Sequence, residues 1–117
     1  MTRLTKLFTA LFLGAPALAS ADVTLINVFE VPQGREEAAI TAWEAARDFL
    51  RQEPGYISTE LHRSLSPDAR FRLINVAKWQ SPAAFEAAIG RMQAAEVFPR
   101  IEGLVSTPAL YSVIRAD

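Results

Sequence analysis

The chain has 117 residues, of which 50% are apolar, and a formal net charge of −1 at neutral pH. This length suits one small domain, and the apolar fraction is enough for a packed core, which argues against disorder. The near-neutral charge disfavours a nucleic-acid partner, whose recognition needs a basic surface stripe. Cysteine is absent and there is one histidine, so disulfides, thiolate chemistry and a metal site built from protein ligands are not expected.

Residues 1–21 have the pattern of a cleaved secretory signal peptide. Arg3 and Lys6 precede an apolar run, Leu7–Leu18, and small residues follow it at 19–21. The alternative is an N-terminal membrane anchor, but the run is too short to span a bilayer. We therefore expect a periplasmic or secreted protein with no stable membrane insertion.

The first strand and helix of the predicted domain, residues 22–117, follow this segment. Val23–Val31 is apolar on both faces, as expected of a central strand, and Asn27 is the polar exception on its own face. Arg35–Glu53 is predicted to be helical, with Arg47 on its polar side. The apolar stripe of this helix consists of Ala39, Trp43, Ala46 and Leu50. Core packing explains this stripe best.

A hairpin is predicted next. Tyr56–Leu65 alternates between apolar and polar residues, and a Ser-Pro-Asp-Ala turn at 66–69 leads into a third strand, Arg70–Trp79. Within that strand Asn75 and Trp79 lie four residues apart. Even spacing places both side chains on the same strand face.

A second helix and a last strand complete the chain. Ser81 is the expected N-cap and Pro82 the first helical residue. Helical spacing continues beyond Gly90, which is a potential kink. Ile101–Pro108 is predicted to be an ordered connection, and Ala109–Arg115 to be the last strand.

The order β-α-β-β-α-β predicts an α+β fold, a four-stranded antiparallel sheet with both helices on one face and strand order 4-1-3-2. Strand one then lies beside strand three, so Asn27, Asn75 and Trp79 share the face beneath the helices. The opposite face of the sheet carries a contiguous aliphatic patch, and the simplest cover for it is a second copy of the chain. We therefore expect a homodimer that pairs sheet on sheet through Ile26, Val28, Ile74 and Val76.

The chain resembles the antibiotic biosynthesis monooxygenase domain family. The resemblance runs from about Leu25 to Ile114 and depends on several segments in the right order. These are INVFEVPQG at 26–34, the helix with Trp43, the Pro54-Gly55-Tyr56 break and INVAKWQSPAAF at 74–85. It implies a ferredoxin-like unit that dimerises as an α+β barrel.

The resemblance also implies an activity. Cofactor-independent monooxygenases of this family oxidise polycyclic phenols with molecular oxygen, without metal or flavin, and Asn75 and Trp79 match a pair that lines their substrate pocket. A tyrosine of that group corresponds here to Phe85, which is a departure. Haem-degrading members use an asparagine that matches Asn27 and the same tryptophan, but the position of their haem-ligating histidine falls near Phe98. We expect no cofactor and a small aromatic substrate together with O2.

Each candidate catalytic residue also has a purely structural explanation. Asn27 and Asn75 either hold a substrate oxygen or bond to backbone at a strand irregularity. Trp79 either walls a pocket or packs in the core. His62 is either a solvated strand residue or a general base that takes a phenolic proton, and the hairpin register leaves its face open. The corresponding alternative to an enzyme is a non-catalytic exported dimer that binds a small aromatic ligand.

Overall fold

Four strands and two helices alternate along residues 22–117, which are the residues that the computed structural model describes. The predicted signal peptide at 1–21 lies outside them. In chain order the elements are β1 (Val23–Glu30), α1 (Glu36–Leu50), β2 (Tyr56–Arg63), β3 (Leu73–Trp79), α2 (Pro82–Ala94) and β4 (Val105–Tyr111). None of the helices within 22–117 combines the length and the apolar character that a membrane crossing requires.

The four strands form one antiparallel sheet in the order β2-β3-β1-β4. This confirms the predicted fold and the predicted strand order. In the central pair, β1 and β3, Asn27 lies directly opposite Asn75. Because facing residues of an antiparallel pair point to the same side of the sheet, the two amides share one face.

The predicted position of the last strand is wrong. The strand runs from Val105 to Tyr111, whereas the sequence pattern indicated Ala109–Arg115. Pro108 is the reason, since proline usually marks a connection. Here it lies inside β4, which is an edge strand of the sheet. An edge strand tolerates proline because no further strand requires a hydrogen bond from the missing N–H. The shift brings Ser106 and Pro108 opposite Phe29 and Asn27.

The start of β2 also differs from simple alternation. The register shifts between Tyr56 and Ser58, so that Tyr56 faces Trp79 and Thr59 faces Ala77. A bulge of this kind inserts one residue and reverses the side on which its neighbours lie. Tyr56 therefore lies on the helix side of the sheet, and the side chain of Ile57 is exposed.

Both helices cover the same face of the sheet, which we call the inner face. α2 begins as predicted, because the Ser81 hydroxyl accepts a hydrogen bond from the Ala84 N–H at 3.1 Å and Pro82 is the first helical residue. It continues through Gly90 without a break. At the start of β2, Gly55 has a φ of +89°, and a side chain there would overlap the Cβ of Ala84. This close approach sets how tightly α2 can lie against the end of β2.

The inner face is packed as two separate apolar clusters. One surrounds Phe29 and Leu73 and includes the first half of α1. The other surrounds Leu25, Ala77 and Trp79 and includes Ala88 of α2. The Asn27–Asn75 pair lies between them in the register of β1 and β3. A polar layer thus divides the core at the middle of the sheet.

The hairpin is fixed to the first turn of α1 by charge. Arg72 Nε donates to Glu36 Oε1 at 3.1 Å, and its Nη1 donates to the Ser64 carbonyl at 2.6 Å. Arg63 Nη1 lies 3.0 Å from the other carboxylate oxygen, as an ion pair without hydrogen-bond geometry. Arg72 is therefore half-buried and cross-links the hairpin to α1.

Candidate active site

A cavity of about 360 Å³ occupies the inner face at the level of the polar layer. Its volume is at the lower end of the range for small-molecule sites, which is roughly 300–1,000 Å³. The sheet forms its floor, and α1, α2 and Phe98 form its walls. Small core residues leave this space open, because Ala46 and Ala77 line it where larger side chains would fill it.

Both candidate asparagines lie on the floor of this cavity. Asn75 is 8% exposed and is the one buried polar residue among residues 22–117. Thr59 Oγ1 donates to Asn75 Oδ1 at 2.6 Å. On the other side of the pair, Ser106 Oγ donates to Asn27 Oδ1 at 2.9 Å. Each amide is therefore held by a hydroxyl group from a neighbouring strand.

This arrangement decides which end of each amide is available to a ligand. The carbonyl oxygens accept from the two hydroxyls, and neither Nδ2 atom has a hydrogen-bond partner within residues 22–117. An amide nitrogen carries two N–H donors and no acceptor. Two such groups side by side on an apolar floor suit a ligand oxygen that accepts hydrogen bonds, above all one that carries negative charge.

Trp79 forms one end of the cavity together with two other aromatic rings. It is 1% exposed, and its ring meets Tyr56 and Phe85 edge-on, with centroid distances of 5.6 Å in both cases. Edge-to-face contacts of this kind are the favoured geometry for aromatic pairs. Trp79 is therefore both core and cavity wall, so the two explanations offered for it do not exclude each other.

Polar groups reach the cavity from the helices as well. Arg47 and Gln93 line it on α1 and α2, together with Trp43. The Arg47 guanidinium carbon lies 5.4 Å from the centre of the Trp43 ring, within cation–π range. Arg47 was assigned to the solvated side of α1, and the structure shows instead that it lines the cavity.

His62 does not lie with the other candidates. It faces Ile74 in the ladder, on the side of the sheet away from the helices, and it is absent from the cavity lining. Its side chain is 54% exposed, and its Nε2 lies 3.7 Å from Glu60 Oε1. The register of the β2–β3 hairpin answers the open question of its face, and from that position His62 does not reach a ligand in this cavity.

Several lining residues were missed by sequence reasoning. Thr59 was counted only as part of an alternating strand face, Ser106 was placed in a connection, and Tyr56 was placed at a strand start whose bulge was not recognised. The signal for Ser106 was available in principle, because a strand at 105–111 would place it opposite Phe29. No single-residue pattern indicates the Thr59 contact, which depends on pairing across β2 and β3.

The fold and the cavity define a class of protein, a ferredoxin-like α+β domain with an aromatic-walled, amide-floored cavity beneath its helices. The model of the antibiotic biosynthesis monooxygenase family matches residues 22–96. The chain belongs to that family, as the resemblance of its sequence segments implied. No functionally curated protein matches the sequence.

Solved structures agree with this membership. A candidate monooxygenase from Shewanella loihica PV-4 is 55% identical, with a TM-score of 0.76 over 83% of this chain and 98% of that one. SnoaB, a cofactor-independent oxygenase from Streptomyces nogalater, shares the fold at 22% identity, with a TM-score of 0.66 over 82% and 96%. The haem degrader MhuD from Mycobacterium tuberculosis is 26% identical, with a TM-score of 0.61 over 81% and 98%. The family and these structures support a monooxygenase type of function without specifying a substrate.

The cavity does not fit a histidine-ligated haem. The chain has one histidine, and His62 lies on the other face of the sheet. Phe98, near the position expected for a haem ligand in family members that degrade haem, lines the cavity with an apolar ring. A haem held by imidazole therefore has no ligand in this cavity.

Proposed function

We propose that the protein is a cofactor-independent monooxygenase that oxidises a small or polycyclic phenol or quinol with O2. The observation that carries this proposal is the pair of amide groups, Asn27 and Asn75, which line the cavity with their oxygens held by Thr59 and Ser106 and their nitrogens without a partner within residues 22–117. Such fixed donors stabilise negative charge on a bound oxygen without having to reorganise.

The proposed reaction needs no external reductant. An anthrone-type substrate loses a proton to give an enolate, whose oxygen accepts hydrogen bonds from the two amides. The enolate transfers one electron to O2, and the resulting superoxide combines with the substrate radical at carbon to form a peroxide. Loss of water from the protonated peroxide converts the CH2 group to C=O. One oxygen atom enters the product, and the other leaves as water with the two substrate hydrogens.

The protein supplies desolvation and orientation in this scheme. Trp79, with Tyr56 and Phe85 against it, provides a rigid wall for an aromatic ring. The lining within the described residues contains no carboxylate or imidazole. The first proton therefore passes to water, which restricts the substrates to those whose enolates form readily.

Oxygen uptake tests the proposal. Purified protein is incubated with anthrone and with a panel of naphthalene quinols, and O2 consumption is followed against a buffer blank. Asn75→Ala is expected to lower the rate by about 10²-fold, as removal of one donor to a developing anion does elsewhere. Lys78→Ala is the matched control, because Lys78 lies on the same strand but is exposed on the opposite face. Consumption equal to the blank across the panel, or equal rates for Asn75→Ala and the native chain, would refute the proposal.

The lack of a general base in the cavity favours a second candidate. With His62 outside the cavity, the same amides and aromatic wall suit a non-catalytic exported dimer that binds a small aromatic ligand. Saturable binding of anthraquinone, a non-reactive analogue, without any O2 consumption from anthrone would favour this alternative.

We also propose a homodimer in which two sheets pack face to face as an α+β barrel. The face away from the helices, which we call the outer face, carries half-buried Ile26, Val28, Ile74 and Val76 and exposed Val105 and Tyr111. An aliphatic patch of this kind on a lone domain calls for cover. With the signal pattern at residues 1–21, we propose that this dimer acts in the periplasm or outside the cell. Sedimentation velocity of the protein without residues 1–21 tests the dimer, and detection of the processed chain in an exported fraction tests the location.

A further inference from the structure

Arg47 is the one charged side chain that lines the cavity within residues 22–117. It extends from α1 above the floor that carries the asparagines. Its side chain is 33% exposed, which places it where the cavity meets solvent.

The contacts of Arg47 leave its terminal nitrogens available. Nε donates to Asp48 Oδ1 at 3.0 Å, and the guanidinium lies 5.4 Å from the Trp43 ring centre. Nη1 and Nη2 have no partner among the described residues. Those two nitrogens form the fork that binds a carboxylate through two parallel hydrogen bonds. Asp48 and Trp43 thus both lie against the guanidinium.

The local charge balance favours an anion. Arg51 Nη2 lies 3.4 Å from the same Asp48 oxygen that Arg47 contacts. Two guanidinium groups thus share one carboxylate, and this group of three retains one positive charge. No acidic side chain lines the cavity within the described residues, so nothing at the ligand side cancels that charge.

We infer that the ligand of this cavity is an aromatic acid. Its ring occupies the apolar space, a hydroxyl or carbonyl oxygen at one end accepts from the asparagine amides, and a carboxylate at the other end binds Arg47. The inference rests on the proposed function only in taking the same cavity as the binding site. Arg47 acts as a specificity-determining residue that selects acids over neutral molecules of the same shape.

The test compares one acid with its own methyl ester. 6-Hydroxy-2-naphthoic acid carries its hydroxyl and carboxylate at opposite ends of a rigid ring system, and esterification removes the charge while keeping the shape. Isothermal titration calorimetry at low ionic strength is expected to show the acid binding about tenfold or more tightly than the ester, the size expected for one charge-assisted contact. The preference should diminish at high salt, since the contact is partly exposed.

Matched variants assign the preference to Arg47. Arg47→Gln is expected to bind acid and ester equally, and Arg47→Lys to keep part of the preference. Arg51→Gln removes one charge of this group but leaves the Arg47 fork in place, so it should keep most of the preference, because Arg51 contacts Asp48 but does not line the cavity. The inference fails if the native chain binds neither probe, binds both equally, keeps its preference in Arg47→Gln, or loses it equally in Arg51→Gln.

The inference about acid binding and the proposal of an oxygenase can fail independently of each other. Oxygen uptake from neutral anthrone without any preference for the acid would overturn the role of Arg47 and leave the oxygenase proposal standing. A clear preference for the acid without oxygen uptake from any quinol would overturn the oxygenase proposal and leave the role of Arg47 standing.

Discussion

The two faces of the sheet are built from the same strands but carry opposite patterns. On the inner face, the pairs contributed by β1 and β3 run from Phe29–Leu73 through Asn27–Asn75 to Leu25–Ala77. On the outer face the intervening pairs are Ile26–Val76 and Val28–Ile74. The polar residues at the centre therefore lie beneath the helices, whereas the aliphatic centre faces away from them.

The opposite patterns of the two faces indicate that each face has its own function. Amides in a core cost free energy unless they are partnered, and here Thr59 and Ser106 partner them on one side while the cavity is open on the other. The cavity that contains the asparagines is lined by residues of the inner face and of the helices, and by none of the outer-face residues named above. We attribute ligand binding to the inner face and subunit pairing to the outer face.

The largest expected effect is on the inner face. Trp79→Ala removes a side chain that is 1% exposed and packed between Tyr56 and Phe85. The free energy of unfolding should fall by about 3–5 kcal/mol, as for other buried aromatic truncations. Urea denaturation measures it, with Lys78→Ala on the outer face expected within about 0.5 kcal/mol of the native chain. A similar small loss for both variants would mean that Trp79 is not part of the core.

A charge on the outer face should break the dimer and spare the fold. Ile74→Glu places a carboxylate at the centre of the proposed sheet-on-sheet interface, where an unpaired buried charge costs about 3–5 kcal/mol. We expect sedimentation velocity to show monomers, and the thermal midpoint to lose its dependence on protein concentration. Ala87→Glu, at an exposed position of α2 on the other side of the sheet, is the control. Dimers that persist in Ile74→Glu would place the interface elsewhere.

The Thr59–Asn75 hydrogen bond should be visible as a coupling between two substitutions. Asn75→Ala leaves the Thr59 hydroxyl without its partner and should destabilise the fold by about 1–3 kcal/mol. Replacing Thr59 as well, by valine, removes the orphaned group. The double variant should therefore lose less free energy of unfolding than the two single variants lose when their losses are added. Urea denaturation of the native chain and the three variants measures this double-mutant cycle. Strict additivity would show that the contact contributes nothing.

The inner face could be predicted from the sequence only where the pattern was local. The spacing of Asn75 and Trp79 and the element order were enough to place both residues beneath the helices. Ser106 was not recognised as a strand residue, because Pro108 indicates a connection unless the strand is already known to lie at a sheet edge. Tyr56 was hidden by a one-residue bulge, which no periodicity reveals.

Arg47 shows a different limit of sequence reasoning. Its position in the helical pattern is polar, and its guanidinium reaches the cavity because the long side chain lies along the Trp43 ring. Helical periodicity places a Cα on one side of a helix, but it does not say where a side chain of this length ends.

The smallest effect is expected from substitution of His62, the residue that chemistry alone would select first as a general base. Histidine is the usual general base near neutral pH, yet His62 lies on the outer face, beside Glu60 and opposite Ile74. His62→Ala should change the free energy of unfolding by less than about 0.5 kcal/mol, since the side chain is mostly exposed. If the protein consumes O2 with anthrone, the rate and its pH profile should match those of the native chain. Loss of one limb of that profile in His62→Ala would show that the outer face takes part in proton transfer, and the division of tasks between the two faces would then be wrong.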